Sequence, residues 1–289
     1  MLGKLVYLYL LSPLHTGGTT QEGNLLGIAR ESHTDLPYIP SSSIRGRLRS
    51  SIDQSGEDKA AQKLKKVLLF GSEIDDAKND ELVQSYETAT GKKLNQLVQG
   101  DIWIGDGSIL WLPVPSLSHG VIWVSSPFLL RRWARLTQQN LEIPPDYSTS
   151  LDNQKPVYLK DAILKPAELN DWNNWKEFIP DGDQTQGLER VLVLPDKHCA
   201  TLIQMSLWRQ VKIKLDQHKT VDGGFRYEEA IPPDTLMYFP WGLISQANGT
   251  GPSSESQFEA LMAEQSLLQI GGQESLGRGF VETWLASTH

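Results

Sequence analysis

The residues best suited to chemistry fall in three short stretches. In Ile39–Ser50 (IPSSSIRGRLRS), three serines lead into three arginines, and no acid lies between Ser41 and Ser50. Backbone N–H groups at a helix start attract anions, and the hydroxyls of Ser41, Ser42 and Ser43 add donors or N-caps. In a helix, Arg45 and Arg49 lie one turn apart on a common face, where they can grip a phosphodiester backbone. The plain alternative is a capped, solvated helix. Gly271–Phe280 (GGQESLGRGF) holds four glycines and Arg278. It nearly matches a phosphate loop, with Gly272 and Gly277 spaced correctly. However, Arg278 stands in place of the lysine and Gly279 in place of the magnesium-binding Ser/Thr, which disfavours a nucleotide triphosphatase. What remains is a loop that contacts phosphates or a simple connection. His15 lies between an apolar run and Gly17-Gly18. A lone histidine there is more often a hydrogen-bonded structural residue than a catalyst.

Other constellations fall short. His198-Cys199 has no second ligand pair at zinc spacing, Asp181-Gly182-Asp183 does not continue as a calcium loop, and neither G-x-S-x-G nor H-E-x-x-H occurs. No metal site is expected from the residues themselves.

The elements that must position these residues read as a mixed chain. An apolar, β-branched and aromatic run over 3–11 predicts a first strand, followed by a Gly/Thr-rich loop from His15 to Gly27. Ile44, Leu48 and Ile52 share the apolar face of a helix starting near Ile44, and a second helix runs from about Asp58 to Phe70. Residues 72–100 read as loop with a short helix. Strands are predicted at Ile102–Leu112 and Val121–Val124, and a helix at Pro127–Gln138. Further strands fall near 191–194, 201–215 and 235–239, then a helix at Glu255–Gln265. Leu267–Ile270 and Phe280–Leu285 flank the glycine-rich loop. Residues 140–190 show weak periodicity and read as an insertion within one domain made of 1–139 and 191–289. Trp103, Trp111, Trp123 and Trp133 sit on apolar runs, whereas Trp172 and Trp175, in the insertion, are freer to touch a partner. No regular βαβ period appears, so the expected class is α+β: a ferredoxin-like sheet with helices on one face.

The chain has 289 residues and a net charge of -8, which argues against nucleic acid bound over its whole surface. The acid is concentrated: Asn140 to Lys197 holds eleven Asp/Glu against six Lys/Arg. With Cys199 the only cysteine, no intrachain disulfide is possible, and a reducing, cytoplasmic location is expected. No apolar run is long enough to span a membrane.

Taken in order, several stretches resemble the RAMP superfamily of CRISPR proteins, and more closely the backbone subunit of the type III-B Cmr complex. They are PLHTGG (13–18), ARESHTDLPYIPSSSIRGRLR (29–49), LFGS (69–72), GDGSILWLPVPSLSHGVIWVSSPFLLRR (105–132), RYEEAIPPDT (226–235) and IGGQESLGRGFVE (270–282). The resemblance implies an RRM-like core with large insertions and a β-hairpin thumb that reaches over RNA. It implies copies stacked head to tail along a guide CRISPR RNA. The partners would be target RNA and other Cmr subunits, including the large polymerase-like one. His15, Gly17, Gly18, Ser41, Ser42, Ser43, Arg45, Arg49, Gly271, Gly272 and Arg278 would then hold the guide's backbone by shape and charge.

The resemblance also implies target cleavage with a divalent metal such as magnesium, centred on a loop aspartate a few residues before an Arg-Glu pair. Counting back from Arg30-Glu31, that place falls near Leu25, flanked by Asn24 and Leu26. None is acidic, and a leucine can neither position a metal nor polarise a hydroxyl. His15 keeps its family place, Tyr227, Glu228 and Glu229 match a stretch implicated in cleavage, and Glu22 is a nearby acid. The expectation is a subunit that binds guide RNA with absent or weak cleavage. The alternatives are an active metal-dependent endoribonuclease and a soluble interaction protein that binds no RNA.

Overall fold

The computed structural model describes residues 4–286 except 23–24, 55, 57, 153, 161, 219 and 245–250. The first apolar run forms strand β1 (Lys4–Leu10), in which Val6, Leu8 and Leu10 join one core and Leu5 and Tyr7 another. Both of its faces are covered, so its sequence is continuous rather than alternating. The segment expected as a loop folds instead as a hairpin of β2 (Gly17–Glu22) and β3 (Leu25–Ile28). Threonine suits a strand. An added Cβ at Gly18 would stand 2.9 Å from the Gly27 carbonyl oxygen, so glycine lets the two strands close.

After β4 (Tyr38–Ile39), helix α1 (Ser41–Ser51) begins three residues earlier than predicted, behind Pro40, and no serine hydroxyl caps it. Its predicted apolar face holds: Ile44, Leu48 and Ile52 are buried. Helix α2 (Lys59–Phe70) is capped by Asp58 and ends at Gly71, whose φ of 87° suits glycine. Helix α3 (Asp80–Thr90) packs Leu82 and Tyr86 against Val67 and Leu68 in a small separate cluster.

The run predicted as one strand over 102–112 is interrupted at Gly105-Asp106, giving β5 (Ile102–Ile104) and β6 (Gly107–Ser116). Then come β7 (Gly120–Ser125) and α4 (Pro127–Thr137), which Ser126 caps. Segment 140–190 contributes β8 (Ser148–Thr149), β9 (Val157–Leu159), β10 (Ala162–Leu164) and β11 (Asn170–Asp171). It is packed into the protein. Leu151, Val157 and Leu159 lie in the main core, and Trp172 and Phe178 lie with Trp111 and Trp133 in the second. Trp172 is therefore not free for a partner: its ring centroid is 5.2 Å from that of Phe178, and it is buried.

Strand β12 (Val191–Val193) follows. The strand predicted over 201–215 starts late, because Asp196–Ser206 form helix α5, with Cys199, Leu202 and Ile203 on its buried face. The remaining elements are β13 (Trp208–Leu215), β14 (Val221–Ala230), β15 (Leu236–Leu243), α6 (Gly251–Glu264), β16 (Leu267–Gln269) and β17 (Phe280–Leu285). Phe258, Leu261 and Met262 of α6 are buried as predicted.

The architecture is α+β. The large sheet runs β11-β8-β12-β7-β6-β15-β1-β17-β16, and β1 pairs antiparallel with both β15 and β17. β5 extends β15 on its other edge, also antiparallel. Helix α6 packs on β5, β15 and β17 and against α2. A second sheet, β13-β14-β3-β2, is built from the β13–β14 hairpin and the β2–β3 hairpin, joined by parallel pairing of β14 with β3. Among the described residues, no helix is long and apolar enough to cross a membrane.

Candidate nucleic-acid interface

The two glycine-rich segments, more than 250 residues apart in sequence, meet directly. His15 and Gly272 form a β-bridge in which the Gly272 N–H donates to the His15 carbonyl at 2.9 Å. The Gly279 N–H donates to Pro13 O at 3.0 Å. Gly271 has φ 82°, and a Cβ there would lie 2.4 Å from the His15 carbonyl oxygen. Gly279 has φ 77°, and its Cβ would lie 1.9 Å from Ile270 O. These glycines are thus demanded by the fold itself. Gly272 needs no such allowance, and an added Cβ at Gly17 would meet nothing within 4 Å.

His15 is buried, and its Nδ1 lies 2.7 Å from Glu229 O. A carbonyl only accepts, so Nδ1 is the donor in this bond. His15 thereby fastens the foot of β14 to both glycine-rich segments.

Glu229 is 1% exposed. Its carboxylate accepts from Arg30 Nη2 at 2.7 Å and from Arg209 Nε at 3.0 Å. Glu228, also buried, pairs with Lys212 Nζ at 2.8 Å and with Arg278 Nη2 at 3.5 Å. Arg278 is 4% exposed, donates to Gln210 Oε1 at 2.7 Å and stacks its guanidinium over Trp208. It therefore clamps the C-terminal glycine loop to the β13–β14 hairpin. Tyr227 points the other way. It is 40% exposed and stands edge-to-face with Phe225, 5.4 Å between centroids. Val211 and Ile213 lie opposite these two on β13, giving the hairpin one exposed apolar face.

Leu25 pairs with Tyr227, and Leu26 with Glu228. The place where an aspartate is expected is therefore beside the Tyr-Glu-Glu stretch, but holds an apolar side chain. The side chain of Glu22 lies outside the described residues. A magnesium ion does not fit the described groups: Glu228 and Glu229 are each already paired with two cations, and Leu25 offers no oxygen. Among the described residues, no group of three or more His, Cys, Asp or Glu could hold a metal.

Helix α1 joins this region through its N-terminus: Thr16 Oγ1 donates to Tyr38 O at 3.2 Å, just before the helix. An acid already occupies the helix start, because Ser41 N–H donates to Asp106 Oδ1 at 2.7 Å. Arg45 and Arg49 run elsewhere, to the carbonyl end of α2. Arg45 donates to Phe70 O, and Arg49 donates to Gly71 O at 2.5 Å and pairs with Glu73 at 3.1 Å. Burial, then the neighbouring Arg49 charge, lowers the pKa of Arg45. The two arginines serve as a C-cap for α2, where cations meet the negative end of the helix dipole.

Sequence reasoning passed over Arg30, Arg209, Gln210 and Lys212 as site residues. The alternation Val211-Lys212-Ile213-Lys214-Leu215 was the available signal for a two-faced strand. Arg30-Glu31, used only as a landmark, is a structural knot. Arg30 reaches Glu229, while Glu31 takes a two-pronged grip from Arg132 at 2.5 and 3.1 Å.

The family model described as RAMPs, the RAMP superfamily, matches residues 7–282. The chain is 29% identical over 311 residues to the CRISPR system Cmr endoribonuclease Cmr4 of Pyrococcus furiosus, covering 99% of this chain and 96% of that protein. Among solved structures, oligomeric Cmr4 from Pyrococcus furiosus superposes with TM-score 0.67 at 23% identity, covering 98% of this chain and 97% of that one. A chain of the type III-B Cmr-beta complex bound to cognate target RNA superposes with TM-score 0.71 at 19% identity, covering 99% and 97%. At these identities the structural likeness speaks for the fold.

Proposed function

The chain belongs to the RAMP superfamily, and from that premise we propose that it is a backbone subunit of a type III-B CRISPR effector complex that holds guide RNA and positions target RNA with absent or weak cleavage. The observation that carries the RNA-holding part is the His15–Gly272 junction. It brings both glycine-rich segments to the foot of a projecting hairpin with an exposed aromatic pair, beside the N-terminus of α1. Open glycine backbone and aromatic faces suit a ribose-phosphate strand recognised by shape. The antiparallel order β17-β1-β15-β5, with helices in the connections from β1 to β5 and from β15 to β17, supports the ferredoxin-like reading of the core.

The similarity to a Cmr endoribonuclease, to oligomeric Cmr4 and to a chain of a Cmr-beta complex bound to target RNA supports the partners proposed here. These are guide CRISPR RNA, target RNA, further copies of this chain head to tail, and the other Cmr subunits. Weak cleavage follows from Leu25 beside Tyr227 and from carboxylates committed to arginine and lysine. The test is to reconstitute the complex with a guide and a complementary labelled target, with magnesium present. Expected are guide retention and target pairing without cuts at regular intervals; efficient periodic cuts sink the proposal.

A second reading, active metal-dependent cleavage through Glu22, is favoured by the activity in the relative's name. It predicts cuts that vanish in Glu22→Ala. A chain that purifies free of RNA and shows no salt-dependent RNA affinity would instead be an interaction protein of another kind.

A further inference from the structure

Two features of the large sheet have no part in the RNA-holding region. The first is the turn between β6 and β7. Leu117, at its tip, is 96% exposed. A lone surface leucine is ordinary, but this one is held in place. Its N–H donates to Tyr158 O at 3.2 Å, and Ser118 Oγ accepts from Tyr158 N–H at 3.2 Å. Ser118 Oγ also lies 3.2 Å from Ser116 Oγ and 2.7 Å from His119 Nδ1, and Arg190 Nη1 donates to His119 O at 2.8 Å. Gly120, with φ 75°, supplies the positive dihedral of the turn. Tyr158 and Ile163, paired across the β9–β10 hairpin beside it, are exposed as well. A rigid apolar projection loses little freedom when a partner buries it.

The second feature is a cavity of about 220 Å³, open on one side, where α4 and α5 begin. Leu36, Phe128, Leu129, Cys199 and Ala200 make it mostly apolar, and Asp196 contributes to its wall. A cavity of about 150 Å³ already admits a benzene-sized guest, whereas small-molecule sites usually offer about 300–1,000 Å³. The size suits one aliphatic side chain.

The topology sets the projection and the recess at opposite ends of one strand. β7 leaves the Leu117 turn at Gly120 and leads directly into Ser126, which lines the cavity. Its six residues span about 20 Å. A projection at one end and a matching recess at the other are what a heterologous contact requires, because every copy then offers one of each.

We propose that Leu117 of one copy seats in the cavity between Leu36, Phe128 and Cys199 of the next copy. This rests on the head-to-tail stacking proposed above and names the side chains that make it.

The test is sedimentation velocity of the full chain, alone and on a single-stranded RNA long enough for several copies. Leu117→Asp changes a solvent-exposed side chain, and Ala200→Phe fills the cavity. Each weakens self-association roughly 10–100-fold, the equivalent of one buried leucine. Mixing the two variants restores a single contact, because Leu117 of the Ala200→Phe copy meets the open cavity of the Leu117→Asp copy. A 1:1 pair then forms that neither variant forms alone. Ile74→Asp, at another apolar position that is 77% exposed, leaves association unchanged. To cover misfolding of Ala200→Phe, Leu117→Cys and Ala200→Cys chains, both also carrying Cys199→Ala, are mixed and oxidised with diamide. Peptide mass mapping then finds a disulfide between positions 117 and 200. Wild-type association in Leu117→Asp, an equal loss in Ile74→Asp, or mixtures lacking both the 1:1 pair and that disulfide overturn the contact. A wild type that stays monomeric both alone and on RNA overturns the stacking reading itself, and is recognised before any variant is measured.

Discussion

Replacing Glu229 with glutamine keeps the volume of the side chain and removes its charge, at a point where two arginines converge from different elements. Arg30, preceding the turn to β4, and Arg209, at the start of β13, both donate to this carboxylate, at 2.7 and 3.0 Å. Breaking a fully buried pair by deleting one partner typically costs about 3–5 kcal/mol. Here the arginine side chains are 24% and 56% exposed, so water can re-solvate them in part. Arg30 also retains Gln204 Oε1 and Asp35 O as acceptors. A loss of about 2–3 kcal/mol is therefore expected. At about 2.1 cal/mol/K of unfolding entropy per residue, a chain of this length loses about 3–5 °C of Tm for that change. Thermal melts followed by circular dichroism at pH 7 measure it, and a cycle with Arg30→Met isolates the pairwise part. A Tm within about 1 °C of wild type, or a cycle with no coupling, would refute the view that this cluster ties the hairpin to the core.

The remaining predictions follow from other contacts. Gly279→Ala forces a Cβ 1.9 Å from Ile270 O at a positive φ; a loss above about 3 kcal/mol or failure to fold is expected in denaturant melts. Arg49→Gln removes a C-cap bond to Gly71 and a half-solvated pair with Glu73, and is expected to lower stability by about 1 kcal/mol. For Glu31, burial alone would raise the carboxyl pKa, but the hydrogen bonds from Arg132 and Thr34 outweigh it and the net shift is downward. A lowered folded pKa gives stability that is present above the unfolded value of about 4.3 and lost as pH falls below it. Glu31→Gln is thus expected to flatten the acid limb of a Tm-versus-pH curve, leaving less difference from wild type at pH 3 than at pH 7.

What the sequence revealed depended on how local the signal was. β1, α4 and α6 were legible because their apolar spacing is set by burial along a single element. The β2–β3 hairpin was not, since its glycines and threonines mimic a loop, and only pairing with β14 makes it a sheet. Helix α5 was mistaken for strand because Cys199, Leu202 and Ile203 span barely one turn. At the site, the junction of the two glycine-rich segments was anticipated, but the arginine partners were not. Whether Arg45 faces a ligand or a helix end depends on α2, which spacing within α1 cannot encode.

The position of β1 has a consequence for biosynthesis. It is flanked by β15 and β17, pairing Leu5 with Pro240 and Val6 with Leu285. At roughly 5–20 residues per second of translation, β1 leaves the ribosome roughly 10–50 s before either neighbour exists. Throughout that interval a seven-residue apolar ribbon hangs with unpaired backbone on both sides, which makes the nascent chain a natural client for holdase chaperones. Pairing with β17 is what finally ends this exposure.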